Sequence, residues 1–218
     1  MYQRDYLLRM VEMLGQVLAK VLGQKDLKST EEALLDIDRA GKMFIGLDSV
    51  MVSSFSDEDL IALLHSGGAL DTNKCLAVAE LQYAEGQVLE LRQDDNEYRL
   101  QYQRSLHFFL EAVTQDRDIS AGSYDEKINI LLSKLHDIIL PPAVLNKLFR
   151  YYEQQGAYAK AEDVLFELMD TNPVKTIDDG IVFYKRLLCK TDDELERGNL
   201  PRNEVEEGLR ELMRRSQR

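Results

Sequence analysis

The chain lacks most of what marks a catalytic or membrane protein. It has only two cysteines, Cys75 and Cys189, far apart and outside any CxxC. No disulfide framework or thiolate metal site is expected, and a reduced cytoplasmic setting fits. No run of about 20 apolar residues occurs, so no bilayer-spanning helix or membrane partner is expected. In Met1–Gly23 the apolar pattern is broken by Glu12, Gln16 and Lys20, which argues against a signal peptide. Four prolines and twelve glycines leave little room for long coil or flexible linkers.

Catalytic motifs are equally scarce. There is no GxxxxGK(S/T), GxGxxG or GxSxG, which removes the ordinary phosphate cradle and nucleophile elbow. His65, His107 and His136 stand alone, outside any HExxH or i, i+4 pair, and are read as structural or solvated rather than as metal ligands. Asp36–Gly41 echoes the start of a calcium loop, yet Leu47 occupies the position of the bidentate glutamate and Arg39 would sit beside the ion. Asp57-Glu58-Asp59 and Asp192-Asp193-Glu194 suit the positive ends of helix dipoles. The expectation is a non-enzymatic chain with no catalytic residue, cofactor or metal.

What the chain does have is core and charge. Its 218 residues are 44% hydrophobic and 30% charged, enough for a sizeable core in one or two domains. The 27 basic and 39 acidic residues give a net charge of −12. Such a surface repels a phosphate backbone, so nucleic acid is not an expected partner. The acidity serves solubility or steers a basic partner.

Helical patterning runs throughout. Tyr6, Leu7, Met10, Val11, Leu14, Val17, Leu18, Val21 and Leu22 form one stripe on an N-terminal amphipathic helix. The first expectation is that this stripe packs on the rest of the protein; the second is a two-fold interface. Ser29-Thr30-Glu31-Glu32 reads as a capping box opening a helix with Leu34, Leu35, Ile37 and Met43, ended by Gly46. Val50-Met51-Val52 is the only hint of extended backbone. Ser56 opens another helix with Leu60, Ile61, Leu63 and Leu64, which Gly67-Gly68 closes. The expected division is residues 1–68, an N-terminal helical portion, and residues 69–218, a repeat-like region.

In that second region, Leu76–Leu91 and Ser105–Val113 read as a stretched helix pair, with Gly86 placed for close approach and about seven residues between the halves. Ser123 caps a helix with Ile128, Ile130, Leu131 and Leu135. Beyond it, residues 141–175 read PPAVLNKLFRYYEQQGAYAKAEDVLFELMDTNPVK. Pro142 suits a first helical position, and Leu145, Leu148, Phe149 and Tyr152 recur at helical spacing. Gly156 can take the left-handed conformation that ends helices. Tyr158, Ala161, Leu165 and Leu168 restart the period, and Asn172-Pro173 stops it. Ile177–Leu188 and a last helix with Val205, Leu209, Leu212 and Met213 follow, the latter closing on Arg210, Arg214, Arg215 and Arg218.

This stretch resembles a tetratricopeptide repeat. Gly156, Tyr158, Ala161 and Pro173, with Leu145, Leu148, Tyr152 and Leu165, agree with that family's pattern. Phe149 and Leu168 depart from it, being bulky where the family has small residues. The opening MYQRDYLLRMVEMLGQVLAKVLG is also similar to the start of a family of short, uncharacterised bacterial helical proteins, which implies no activity. The tetratricopeptide resemblance implies an all-α fold of antiparallel helix pairs stacked as an array, with the N-terminal helices packed on it. It also implies a concave surface that holds a protein or peptide of unknown identity. Candidate partner-binding residues are then Asn146, Arg150 and Glu153, with Tyr83, Gln87 and Glu90 in the weaker pair. Arg150 is singled out because a guanidinium can grip a carboxylate bidentately. The alternatives are a self-associating structural protein, a homodimer built on the N-terminal stripe, or a small-molecule binder whose site folding alone assembles.

Overall fold

Leucine-rich amphipathic segments fold into twelve helices among the described residues, and the only strands there are a two-residue hairpin; the chain is all-α. The computed structural model describes residues 2–24, 27–93, 95–116, 124–171 and 173–217, with side chains for 7–20, 28–93, 96–116, 124–171 and 176–217. It divides into two compact units, Met1–Ile139 and Leu140–Arg218.

In the first unit, α1 (Tyr2–Gln24) and α2 (Leu27–Phe44) pack on each other and on α5 (Thr72–Leu91). Leu7, Met10 and Leu14 of the N-terminal stripe are buried there; the side chains of Tyr6, Val21 and Leu22 lie outside the described residues. The division expected near residue 69 therefore falls inside this unit. Ser29 does not cap α2, which begins at Leu27; Ser29 and Thr30 are buried within it. Nor does α2 bury Leu35 or Met43. It turns Ala33, Ile37 and Ala40 inward and leaves those two exposed, because small residues allow a closer approach. A Cβ on Gly41 would lie 3.6 Å from Leu81. Gly46 ends the helix with φ +83°, its amide bonded to the Gly41 carbonyl.

Residues 50–52 are helical, within α3 (Ser49–Ser54), because the Asp48 side chain accepts from the Met51 amide and caps the helix. Ser56 caps α4 (Asp57–Leu63) as expected. Gly67-Gly68 makes a hairpin turn between β1 (His65–Ser66) and β2 (Ala69–Leu70) rather than a joint between domains. Positive φ at both glycines, +62° and +88°, matches the tight turn that two-residue hairpins need.

Helix α5 and α6 (Asp95–Gln115) form an antiparallel pair. The bonds Cys75 Sγ to the Phe108 carbonyl and Ser105 Oγ to the Ala79 carbonyl advance along one helix and retreat along the other. At the far end Gly86 admits the Tyr102 ring, which a Cβ would meet at 2.6 Å. The connection is shorter than expected, since α5 runs to Leu91 and α6 already begins at Asp95. Helix α7 (Asp125–Lys134) buries Ile128 and Leu131; the cap expected at Ser123 lies outside the described residues. Two lysines tie α7 to α5, Lys127 to Glu80 and Lys134 to Glu90.

The second unit opens with α8 (Pro142–Gln154) and α9 (Tyr158–Thr171), joined at Gly156 with φ +73°. Leu145, Leu148, Phe149, Tyr158, Ala161, Leu165 and Leu168 are all buried. The stop expected at Asn172 lies outside the described residues, and Pro173 opens α10 (Pro173–Leu187). After the short α11 (Asp192–Arg197), α12 (Arg202–Ser216) pairs with α10. Tyr184 of α10 lies over Gly208 of α12 and donates its hydroxyl to Glu162 of α9 at 2.5 Å.

Candidate functional site

The second unit carries a cleft between α8 and α10, floored by α9, with a volume of about 260 Å³. Two contacts fix how its walls align. The Phe149 and Phe183 rings meet edge to face at 5.1 Å. One turn later, Arg186 donates Nε to Glu153 Oε1 at 2.7 Å and Nη2 to Oε2 at 2.8 Å. Both numbers rise together, so α8 and α10 run in the same direction, with partners offset by 34 and 33 residues. On this register Asp179 stands level with Asn146, and Arg150 level with Phe183 and Tyr184.

Each wall supplies distinct chemistry. From α8 come Asn146, Arg150 and Glu153; from α10 come Thr176, Asp179, Val182 and Arg186; Leu165 and Leu168 of α9 form the apolar floor with Phe149. The Asn146 amide donates to the Pro142 carbonyl at 2.7 Å. Glu153 and Arg186 close one end as a bidentate pair. That hydrogen bond holds the Arg186 guanidinium above its ordinary range, with burial opposing it. Arg150 is exposed, and no hydrogen bond or ion pair engages its guanidinium among the described residues.

Three of the six expected residues, Asn146, Arg150 and Glu153, are thus brought together. Glu153 faces Arg186 rather than offering an open carboxylate. The other three lie in the first unit and serve its interior. Glu90 accepts the Tyr102 hydroxyl at 2.7 Å and also binds Lys134; burial pushes its carboxyl up, but these bonds outweigh it and hold it low. Tyr83 lies 5.9 Å from the Tyr102 ring with the Lys127 ammonium over its face, and burial raises its hydroxyl pKa. Gln87 has its amide oxygen buried without a hydrogen-bond partner. Asp179, Val182 and Arg186 were missed because they belong to the next helix. The signal that could have found them was the 34-residue spacing of Phe149 and Phe183.

No cluster of three His, Cys, Asp or Glu is placed to hold a metal ion among the described residues. The histidines stay apart: His65 and His136 contact the Ile61 and Ser133 carbonyls through Nδ1, and His107 Nδ1 lies 3.6 Å from Asp57. Among the described residues, no helix is long and apolar enough to cross a membrane.

A family model described as a family of unknown function (DUF6483) matches residues 1–217, so the chain belongs to that family. No curated protein and no solved structure matches it.

Proposed function

We propose that this member of a family of unknown function is a non-enzymatic interaction module of the cytoplasm. In this reading the carboxyl-terminal helices form a tetratricopeptide-like array whose α8–α10 cleft holds a protein or peptide segment. The observation that carries it is Arg150. A cation in a chain of net charge −12 has many carboxylates to pair with, yet this one is exposed on a cleft wall and unengaged among the described residues. Beside it, Glu153 and Arg186 neutralise each other, and the apolar floor offers burial to a side chain. Two features support the array: the common direction of α8 and α10, and an offset close to the repeat length of such proteins.

Crosslinked affinity purification with the intact chain and with Arg150→Glu, matched for helicity and stability, tests the reading. A reproducible partner captured by the first and lost by the second is expected. Equal capture by both would remove Arg150 and the cleft from the function.

A further inference from the structure

The cleft's own charges specify more than a carboxylate. Four charged side chains line it, and the bidentate Glu153–Arg186 contact removes two of them at one end. The two that remain are of opposite sign and on opposite walls. Arg150 stands on α8, and Asp179, also exposed, stands on α10. No hydrogen bond or ion pair engages either among the described residues, and Asp179 acts on the Arg186 guanidinium only through its charge. Between them Val182 is 49% exposed over the buried Phe149.

The register sets their spacing. Phe183 packs on Phe149 and Arg186 on Glu153, so Asp179 lies about one helical turn before Arg150 along the cleft, roughly 6 Å. In an extended segment, side chains two residues apart point the same way and are separated by about 6.6 Å. Resting on the interaction reading above, we infer that the cleft takes an extended bipolar segment. Its carboxylate meets Arg150 and its cation, two residues away, meets Asp179, while the side chain between them points out of the cleft. Charge complementarity makes this occupant better than a purely acidic one, which would set a carboxylate against Asp179, and better than a purely basic one, which would oppose Arg150.

The test uses fluorescein-labelled, end-blocked peptides in anisotropy titrations with the full chain. Their central triplets are Lys-Leu-Glu, Glu-Leu-Lys, Glu-Leu-Glu and Lys-Leu-Lys. One of the two bipolar peptides should bind about two- to fivefold more tightly than either like-charged one, the range expected of one exposed ion pair. Asp179→Lys should move the preference to Glu-Leu-Glu, and Arg150→Glu to Lys-Leu-Lys. If Glu-Leu-Glu binds best to the unaltered chain and Asp179→Lys changes nothing while Arg150→Glu abolishes binding, the bipolar inference fails and the Arg150 reading stands. If no peptide binds, or Arg150→Glu leaves all affinities unchanged, both fail together.

Discussion

Gly208→Ala is a substitution whose sign depends on one tyrosine. In a helix interior, alanine in place of glycine is favourable by about 1 kcal/mol. A Cβ at position 208 would, however, stand 2.3 Å from Cζ, 2.5 Å from Oη and 2.7 Å from Cε1 of Tyr184. Carbon atoms in good contact stay about 3.5–4.0 Å apart. The ring is fully buried and its hydroxyl is held by Glu162, so relief requires α12 to shift or that bond to break. Overpacking costs about 1–3 kcal/mol, and losing a hydrogen bond to a charged acceptor about 1.5–3 kcal/mol. Net of the propensity gain, either route leaves the variant about 0.5–2 kcal/mol less stable. Urea unfolding followed by circular dichroism reads this directly. Gly15→Ala is the control: nothing lies within 4 Å of its Cβ position, and it should stabilise the protein. The sharper comparison is Gly208→Ala in a Tyr184→Leu background, where the three clashing atoms are absent and the substitution should become neutral or stabilising. A Gly208→Ala protein as stable as its parent with Tyr184 intact would refute the close seating of that ring.

Arg104→Met should cost about 2–3 kcal/mol, because Arg104 donates to Asp57 at 2.7 Å and to the Val52 carbonyl at 2.9 Å and its loss strands a partly buried carboxylate. Arg104→Lys should not restore the stability, since an ammonium lacks the fork that reaches both acceptors; thermal unfolding of the two variants checks this. Glu85→Gln should stabilise the protein at neutral pH. Burial, assisted by Glu97 and Asp38 against the pull of Arg104, raises the Glu85 pKa, so its charged form weakens folding. That penalty fades as pH falls through the raised value and is gone below the ordinary glutamate range, where the two proteins should unfold alike. Arg150→Glu should leave unfolding within about 0.5 kcal/mol of the parent, as surface substitutions do, so any loss of binding in that variant is local to the cleft.

The helices were legible wherever one residue alone dictated the backbone. Gly46 and Gly156 end helices with positive φ, Pro142 begins one, and Ser56 caps another. Periodicity misled where two faces of one helix were both apolar. On α2 the larger residues Leu35 and Met43 lost the interior to Ala33, Ile37 and Ala40, since close approach of neighbouring helices rewards small side chains and sequence spacing does not weigh approach distance. The same ambiguity made Ser29 look like a cap. A serine ahead of two glutamates has identical local chemistry whether the helix begins there or two residues earlier, and only burial by packing decides.

Half of the cleft was legible for a different reason. Asn146, Arg150 and Glu153 share one face of α8, which helical spacing alone predicts. The opposing wall depends on which helix lies beside α8, and nothing local to residues 142–154 encodes that. The information was nevertheless in the chain, as a recurrence: aromatic Phe149 returns as Phe183, and Glu153 finds its complement at Arg186. A ring pair and an ion pair at nearly the same offset cannot both arise from a single helical hairpin, whose contacts would converge on its turn rather than keep a constant separation. They require a second helix laid parallel to the first. That requirement also explains why Asp179, unremarkable within its own segment, comes to stand one turn from Arg150 and gives the cleft its two opposed charges.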